Sequence, residues 1–420
     1  MKSLFYIFFI IISPMAFSQV EPNYDESKVP EFLVPDPLMA FDGTKIKDAK
    51  AWTEKRRPEV LAFFENEVFG KVPGELDAFS FEIIEEDANA LDGIAHRKQI
   101  AVTLTKNKKT LQFNILLYTP SGKDNVPVFL GYNFHGNQTV TSDPKVKITK
   151  AWNMKNDNLG IVNHQATEKT RGGRAHRWDI NGIIKAGFGL ATIYYGEVDP
   201  DKNDLSDGLH RLFYKEGHQN PEANEWGSIA AWSFALSKAF DYLETDPNVD
   251  ATKVVAFGHS RLGKAALWAG ATDTRFAGVI SNDSGCGGAA LSKRKFGETV
   301  GRINNSFPHW FNTNFKKYNE NEEALPVDQH QLLALVAPRP LYVASAEEDE
   351  WADPKGEFLS AHYATPVYHL FGKQGIESTE MPKVNTPIQN TVAYHIRTGV
   401  HDVTDYDWEQ YIKWAKEFVE

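Results

Sequence analysis

The sequence predicts an α/β fold: a mostly parallel central sheet with antiparallel strands on its N-terminal side and helices on both faces. Three observations carry this reading. Strand-like apolar runs and helical patterns alternate from residue 190 onwards. Before them, between residues 79 and 133, strand-like runs follow one another with no helical pattern between. In residues 254–264 a β-branched apolar run breaks at Gly258-His259-Ser260 and passes straight into a helical pattern, so that Ser260 stands on a tight strand-to-helix turn. Such a turn exposes the serine hydroxyl at the carboxyl end of a sheet, with unpaired helix N–H groups behind it.

Taken in order, residues 1–18 read as a secretory signal peptide. Lys2 supplies a positive start, residues 4–12 are continuously apolar, and Ala16 and Ser18 put small residues at the −3 and −1 positions before Gln19. The uncharged run 3–19 contains Pro14 and falls short of the roughly 20 apolar residues of a spanning helix. The mature chain, 19–420, is therefore expected to be secreted or periplasmic, without a membrane anchor, as one catalytic domain and a monomer. Residues 20–42, punctuated by Pro and Asp, are expected to lie extended over the surface. Residues 50–69 read as one or two helices, with Trp52, Val60, Leu61, Phe64 and Val68 at helical spacing and Pro58 restarting the helix at a first turn.

Strands are predicted at 79–84, 98–104, 111–118 and 126–133, as an antiparallel lead-in to the sheet. A strand at 190–195 then precedes a strong helix at 228–243, whose Ile229, Trp232, Leu236, Phe240 and Leu243 share one face. A strand at 253–257, a helix at 261–271, strands at 278–281 and 341–345 and a closing helix at 408–419 complete the alternation. This order places Ser260 after a central strand, where open α/β sheets bind ligands. The polar stretches 138–177 and 199–226 read as insertions at the rim.

Composition narrows the function. The 420 residues are 42% hydrophobic and 24% charged, enough for a large core. A net charge of −11 argues against nucleic acid, whose binding needs a dense Lys/Arg surface. Cys286 is the only cysteine, so no intramolecular disulfide can form; flanked by glycines and apolar residues, it reads as an inert buried thiol. With no H-E-x-x-H helix and no Cys/His cluster, no metal and no cofactor is expected.

A serine nucleophile needs a base, and the base an orienting carboxylate. Of the 13 histidines, His401 stands in a glycine-bearing polar loop just before the last helix, where the final strand would deliver a base to the carboxyl edge. His395, inside a mixed apolar run, reads as packed, and His369 is a weaker competitor. Two positions remain open for the acid. Residues 346–353 follow a strand and carry several carboxylates, Asp349 among them, and Asp283 follows the preceding strand. Spacing does not choose between them.

The run Gly258-His259-Ser260-Arg261-Leu262-Gly263-Lys264 departs from G-x-S-x-G, because the second glycine falls at 263 and not at 262. With arginine directly after the serine and lysine four residues on, it resembles the elbow of the glucuronoyl esterases, carbohydrate esterases with an α/β-hydrolase fold. Further pieces are similar in the same order: Asn133-Phe134-His135-Gly136-Asn137, Arg177-Trp178, the run 191–200, Asn282-Asp283-Ser284-Gly285, Trp351 and Gly399-Val400-His401.

The resemblance implies Ser260 as nucleophile and His401 as base, with Asp349 as principal acid and Asp283, at the position where fungal members carry a glutamate, assisting. It implies that Arg261 lines the oxyanion hole and that Lys264, Glu298 and Trp351 hold the sugar. The implied substrate is an ester between (O-methyl)glucuronic acid of glucuronoxylan and lignin alcohols. A secreted acetyl-xylan or general carboxylesterase would share the triad without needing Arg261, Lys264, Glu298 and Trp351 together. A non-catalytic polysaccharide-binding protein on the same scaffold would be expected to lack a triad member.

Overall fold

The computed structural model describes residues 21–214 and 221–419. The proposed signal segment therefore lies outside the described residues. Among the described residues no helix is long and apolar enough to cross a membrane.

Nine strands form the main sheet in the order β1-β2-β3-β7-β4-β8-β9-β10-β11. They are β1 (Ala78–Ala90), β2 (Ala95–Lys106), β3 (Lys109–Pro120), β4 (Val126–Asn133), β7 (Gly189–Tyr194), β8 (Val249–His259), β9 (Gly278–Asn282), β10 (Leu341–Ala346) and β11 (Val392–Arg397). A two-residue hairpin, β5 (Ile161–Val162) with β6 (Gln165–Ala166), sits apart in the 138–177 insertion. β1, β2, β3 and β7 pair antiparallel in succession, and from β7 through β11 all neighbours pair parallel.

β4 corrects one expectation. Predicted as part of the antiparallel lead-in, it runs parallel between β7 and β8. All its residues are buried, the mark of a strand covered on both faces rather than of an edge hairpin. Alternation along the strands feeds two cores. Val254 and Ala256 of β8 join the core under the helices Ser228–Leu243 and Arg261–Thr272, while Val255 and Phe257 join the opposite one with Trp178, Ile183, Trp408 and Trp414.

Helical turns run from Ala49 to Phe69 without interruption, and Pro58 does not restart them. Instead Trp52–Arg56, just before it, widens into a π-helical segment. Proline lacks the N–H for the ordinary i−4 bond and its ring crowds that carbonyl, so a wider turn ahead of it relieves the clash. A helix at Pro354–Leu370, with Pro354 at its first turn and Pro366 inside, is an element whose sequence pattern the prolines obscure.

Candidate active site

Ser260 sits between β8 and the helix Arg261–Thr272 at φ 57°, ψ −133°, a conformation that a non-glycine residue adopts only under constraint. Glycines on either side permit it. A Cβ on Gly258 would lie 2.0 Å from the Leu262 carbonyl oxygen, and one on Gly263 would lie 2.9 Å from Ser284 Cβ. This explains the shifted motif. Leu262 turns into the core, whereas position 263 faces the chain leaving β9, so the second glycine is required there. The Arg261 N–H, at the first helical position, has no intrahelical acceptor.

His401 follows β11, and its Nδ1 donates to Asp349 Oδ2 at 2.5 Å; a carboxylate can only accept, which leaves Nε2 as the proton acceptor. Asp349 follows β10 and is buried. Of its loop neighbours, Glu347, Glu348 and Glu350 are exposed, and Asp353 caps the helix Pro354–Leu370 and pairs with Arg294.

Asp283, after β9, is 2% exposed, and neither of its carboxylate oxygens has a hydrogen-bond partner among the described residues. One side-chain oxygen or nitrogen from each of Asp283, Asp349 and His401 lies within 4.8 Å of the others. Burial pushes the Asp283 carboxyl well above the usual carboxylate range, the Glu357 and Asp349 charges add to this, and Arg397, 3.6 Å away, opposes it.

The remaining predicted residues meet the same cleft, of about 360 Å³. It is lined by Ser260, Arg261, Lys264, Asp283, Glu298, Asp349, Trp351 and His401, with Phe307 and Trp310 on its wall. The structure thus brings every predicted site residue to one place. Lys264 is buried, donates to the Ser284 carbonyl at 2.5 Å, and burial lowers its ammonium while Glu298 opposes. Burial pushes Glu298 up to about 7 against the pull of Lys264 and Arg261. The Glu298 N–H donates to the Trp351 carbonyl at 3.0 Å, which ties the two wall residues together. A larger cleft of about 680 Å³, over the face of β1 to β3, shares no lining residue with this one.

The competing histidines fall elsewhere. His395 is buried, between the Tyr342 hydroxyl at 2.9 Å and Asp407 at 2.8 Å. His369 pairs with Glu377 on the surface. Cys286 is buried, and burial pushes its thiol well up.

Several residues around the site were not singled out from the sequence. The His259 ring lies 4.4 Å from that of His401. Arg397 donates to the carbonyls of Thr398, Val400 and Asp402 and to Asp407 at 2.7 Å, bracing the His401 loop. Asp201 pairs with Arg261. The one available signal for Asp201 was its place directly after the run 191–200.

The fold and the cleft define an ester hydrolase of the α/β-hydrolase class. A family model described as fungal glucuronyl esterase matches residues 179–372. A carbohydrate esterase from an unknown prokaryotic organism is 50% identical over 94% of this chain and 91% of its own. Among solved structures, a promiscuous CE15 esterase from a marine bacterial metagenome is 49% identical with a TM-score of 0.89, covering 95% of this chain and all, 100%, of the other. The glucuronoyl esterase from Solibacter usitatus is 49% identical with a TM-score of 0.87, covering 93% of this chain and 99% of the other. The chain belongs to carbohydrate esterase family 15 (CE15), the glucuronoyl esterases.

Proposed function

We propose that the protein cleaves the ester between the carboxyl group of (4-O-methyl)glucuronic acid on glucuronoxylan and a lignin alcohol, through a serine acyl-enzyme. His401 Nε2 takes the Ser260 proton as Oγ attacks the uronate carbonyl. The Arg261 N–H and guanidinium face the oxygen that becomes negative, and His401 returns the proton to the departing alkoxide. Water then attacks the acyl-enzyme by the same route, releasing the uronate and restoring Ser260. Asp349 holds the imidazole tautomer that this requires. Lys264, Glu298 and Trp351 hold the sugar ring, with Lys264 donating to and Glu298 accepting from its hydroxyls.

The observation that carries the reading is the convergence of the strained serine, the His401–Asp349 pair, Arg261 and the Lys264–Glu298–Trp351 wall on one cleft. Fungal relatives named 4-O-methyl-glucuronoyl methylesterases support the same acyl group. As part of this proposal, residues 1–18 direct export, and residues 19–420 act as one monomeric catalytic domain. The test is hydrolysis of benzyl glucuronate beside an acetylated xylose and a sugar-free aryl acetate. Preference for the glucuronate ester is expected; preference for either acetate would replace this reading with a general carboxylesterase.

A further inference from the structure

The glucuronoyl reaction consumes a neutral ester, passes through a transient oxyanion and releases a carboxylate. A guanidinium that stabilises the oxyanion would equally hold the product, because arginine and carboxylate form a strong bidentate pair. The site therefore needs Arg261 fixed in place but only weakly cationic toward the product. Its surroundings have that character.

Asp201 is buried, at 6% exposure, and its two oxygens accept from side chains of separate segments. Oδ2 accepts from Arg261 Nη1 and from the Tyr195 hydroxyl at 3.1 Å. Oδ1 accepts from His309 Nε2 at 2.8 Å and Trp310 Nε1 at 2.7 Å. Burial alone would raise this carboxyl, but His309, Arg261 and Trp310 hold it well below the usual carboxylate range, so it stays ionised beside the guanidinium. The guanidinium also lies 4.7 Å from the Trp310 ring and 5.4 Å from that of Phe307, two rings stacked 3.7 Å apart on the cleft wall. One edge of Arg261 is thus committed to Asp201, while its Nε is buried with no hydrogen-bond partner among the described residues.

We infer that Asp201 is a positioning residue that fixes the Arg261 guanidinium beside Ser260 and offsets its charge, so that the site stabilises the oxyanion without trapping the uronate product. This rests on the oxyanion role proposed for Arg261. A purely structural Asp201 would weaken catalysis and binding together. A positioning and charge-offsetting Asp201 moves them in opposite directions.

The test compares Asp201→Asn and Asp201→Glu with the wild type in the full mature chain. The readouts are kcat on benzyl glucuronate and the calorimetric Kd of free glucuronate. Asp201→Asn keeps the shape and removes the charge. Its kcat is expected to fall about 10-fold or more, as when an oxyanion donor is loosened. Its glucuronate affinity should rise about five- to tenfold at low salt, the scale of one unscreened charge several ångströms away, with the gain shrinking as salt is added. Asp201→Glu keeps the charge, so kcat should fall with glucuronate affinity unchanged. If the Asp201 variants do not fold, Tyr195→Phe, which removes one donor to Asp201 and no charge, should lower kcat a few-fold and leave glucuronate affinity alone.

Unchanged kcat in Asp201→Asn, or glucuronate binding that is weakened or unaltered, overturns the inference; so does a Tyr195→Phe enzyme with wild-type kcat where that variant decides. Failure of the wild type to hydrolyse benzyl glucuronate would instead overturn the proposed function on which it rests.

Discussion

Two buried carboxylates beside one histidine make a specific prediction about which acid works when the other is removed. Asp349 is hydrogen-bonded to His401, whereas Asp283 has no hydrogen bond among the described residues and is pushed toward its protonated form by burial and by the Glu357 and Asp349 charges. Lying within 4.8 Å of each other, the two carboxylates repel when both are ionised, by about 3 kcal/mol or more at an effective dielectric of about 20, so the Asp349 charge favours a neutral Asp283. Asp349→Ala deletes that charge without offering His401 Nδ1 a competing donor. The Asp283 pKa should fall, although burial and the Glu357 charge still hold it up, and its carboxylate can then orient the imidazole. Loss of the sole orienting acid typically costs on the order of 10,000-fold in kcat. Here Asp349→Ala should lose about 10- to 100-fold, Asp283→Asn a few-fold, and the double variant about 10,000-fold. The assay is kcat/KM on benzyl glucuronate from about pH 5 to 9. Because Asp283 acts only when ionised and its pKa stays raised by burial, the acid limb of Asp349→Ala should lie at higher pH than that of the wild type. Losses that simply multiply, or an unmoved acid limb, would refute the shared role.

Lys264→Ala and Glu298→Ala should each lower kcat/KM on glucuronate esters by about 1–3 kcal/mol equivalent while hardly changing hydrolysis of an aryl acetate; parallel losses on both substrates would indicate a damaged triad or fold instead. Because Glu298 is raised from 4.5 to about 7, the folded state binds more protons than the unfolded state between those values, and stability should fall as pH rises through that window, by about 3 kcal/mol at most. Glu298→Gln should flatten that part of the Tm–pH curve. Gly258→Ala sets a Cβ 2.0 Å from a carbonyl oxygen and should cost about 3 kcal/mol or more in urea denaturation, whereas Gly263→Ala, facing a side-chain carbon at 2.9 Å, should cost less. N-terminal sequencing of exported protein should find a start near Gln19, and retention of Met1 would refute the signal reading.

What was legible in the sequence is what short-range chemistry dictates. The elbow could be read because its glycines, serine and helix start are neighbours in the chain, and the displacement of the second glycine to 263 has a local cause in the contact with Ser284. His401 and both acid candidates, Asp349 and Asp283, could be proposed because each follows a strand end, but spacing did not choose between the two acids, and only the folded sheet, pairing β9 with β10 and β10 with β11, brings both to the same histidine. The parallel placement of β4 was not legible for the same reason. A strand's own residues specify its burial but not the direction of neighbours that arrive from residues 189–194 and 249–259.

The residues that hold the site, as distinct from those proposed to react in it, were the hardest to see. Asp201 meets Arg261 from 60 positions away and His309 from 108. Arg397 braces the His401 loop while bonded to Asp407 at the start of the last helix. No spacing rule singles out such residues, because their partners share neither an element nor a period with them. They become visible only through their geometry: ionised groups, buried almost completely, whose hydrogen bonds run to Arg261 in one case and to the backbone of the His401 loop in the other. Burying a charge is costly unless it is paired and hydrogen-bonded, and in both cases the pairing falls beside a residue assigned to the chemistry. Burial together with a bond to the site therefore ranks Asp201 and Arg397 above the other buried polar groups as the next positions to mutate.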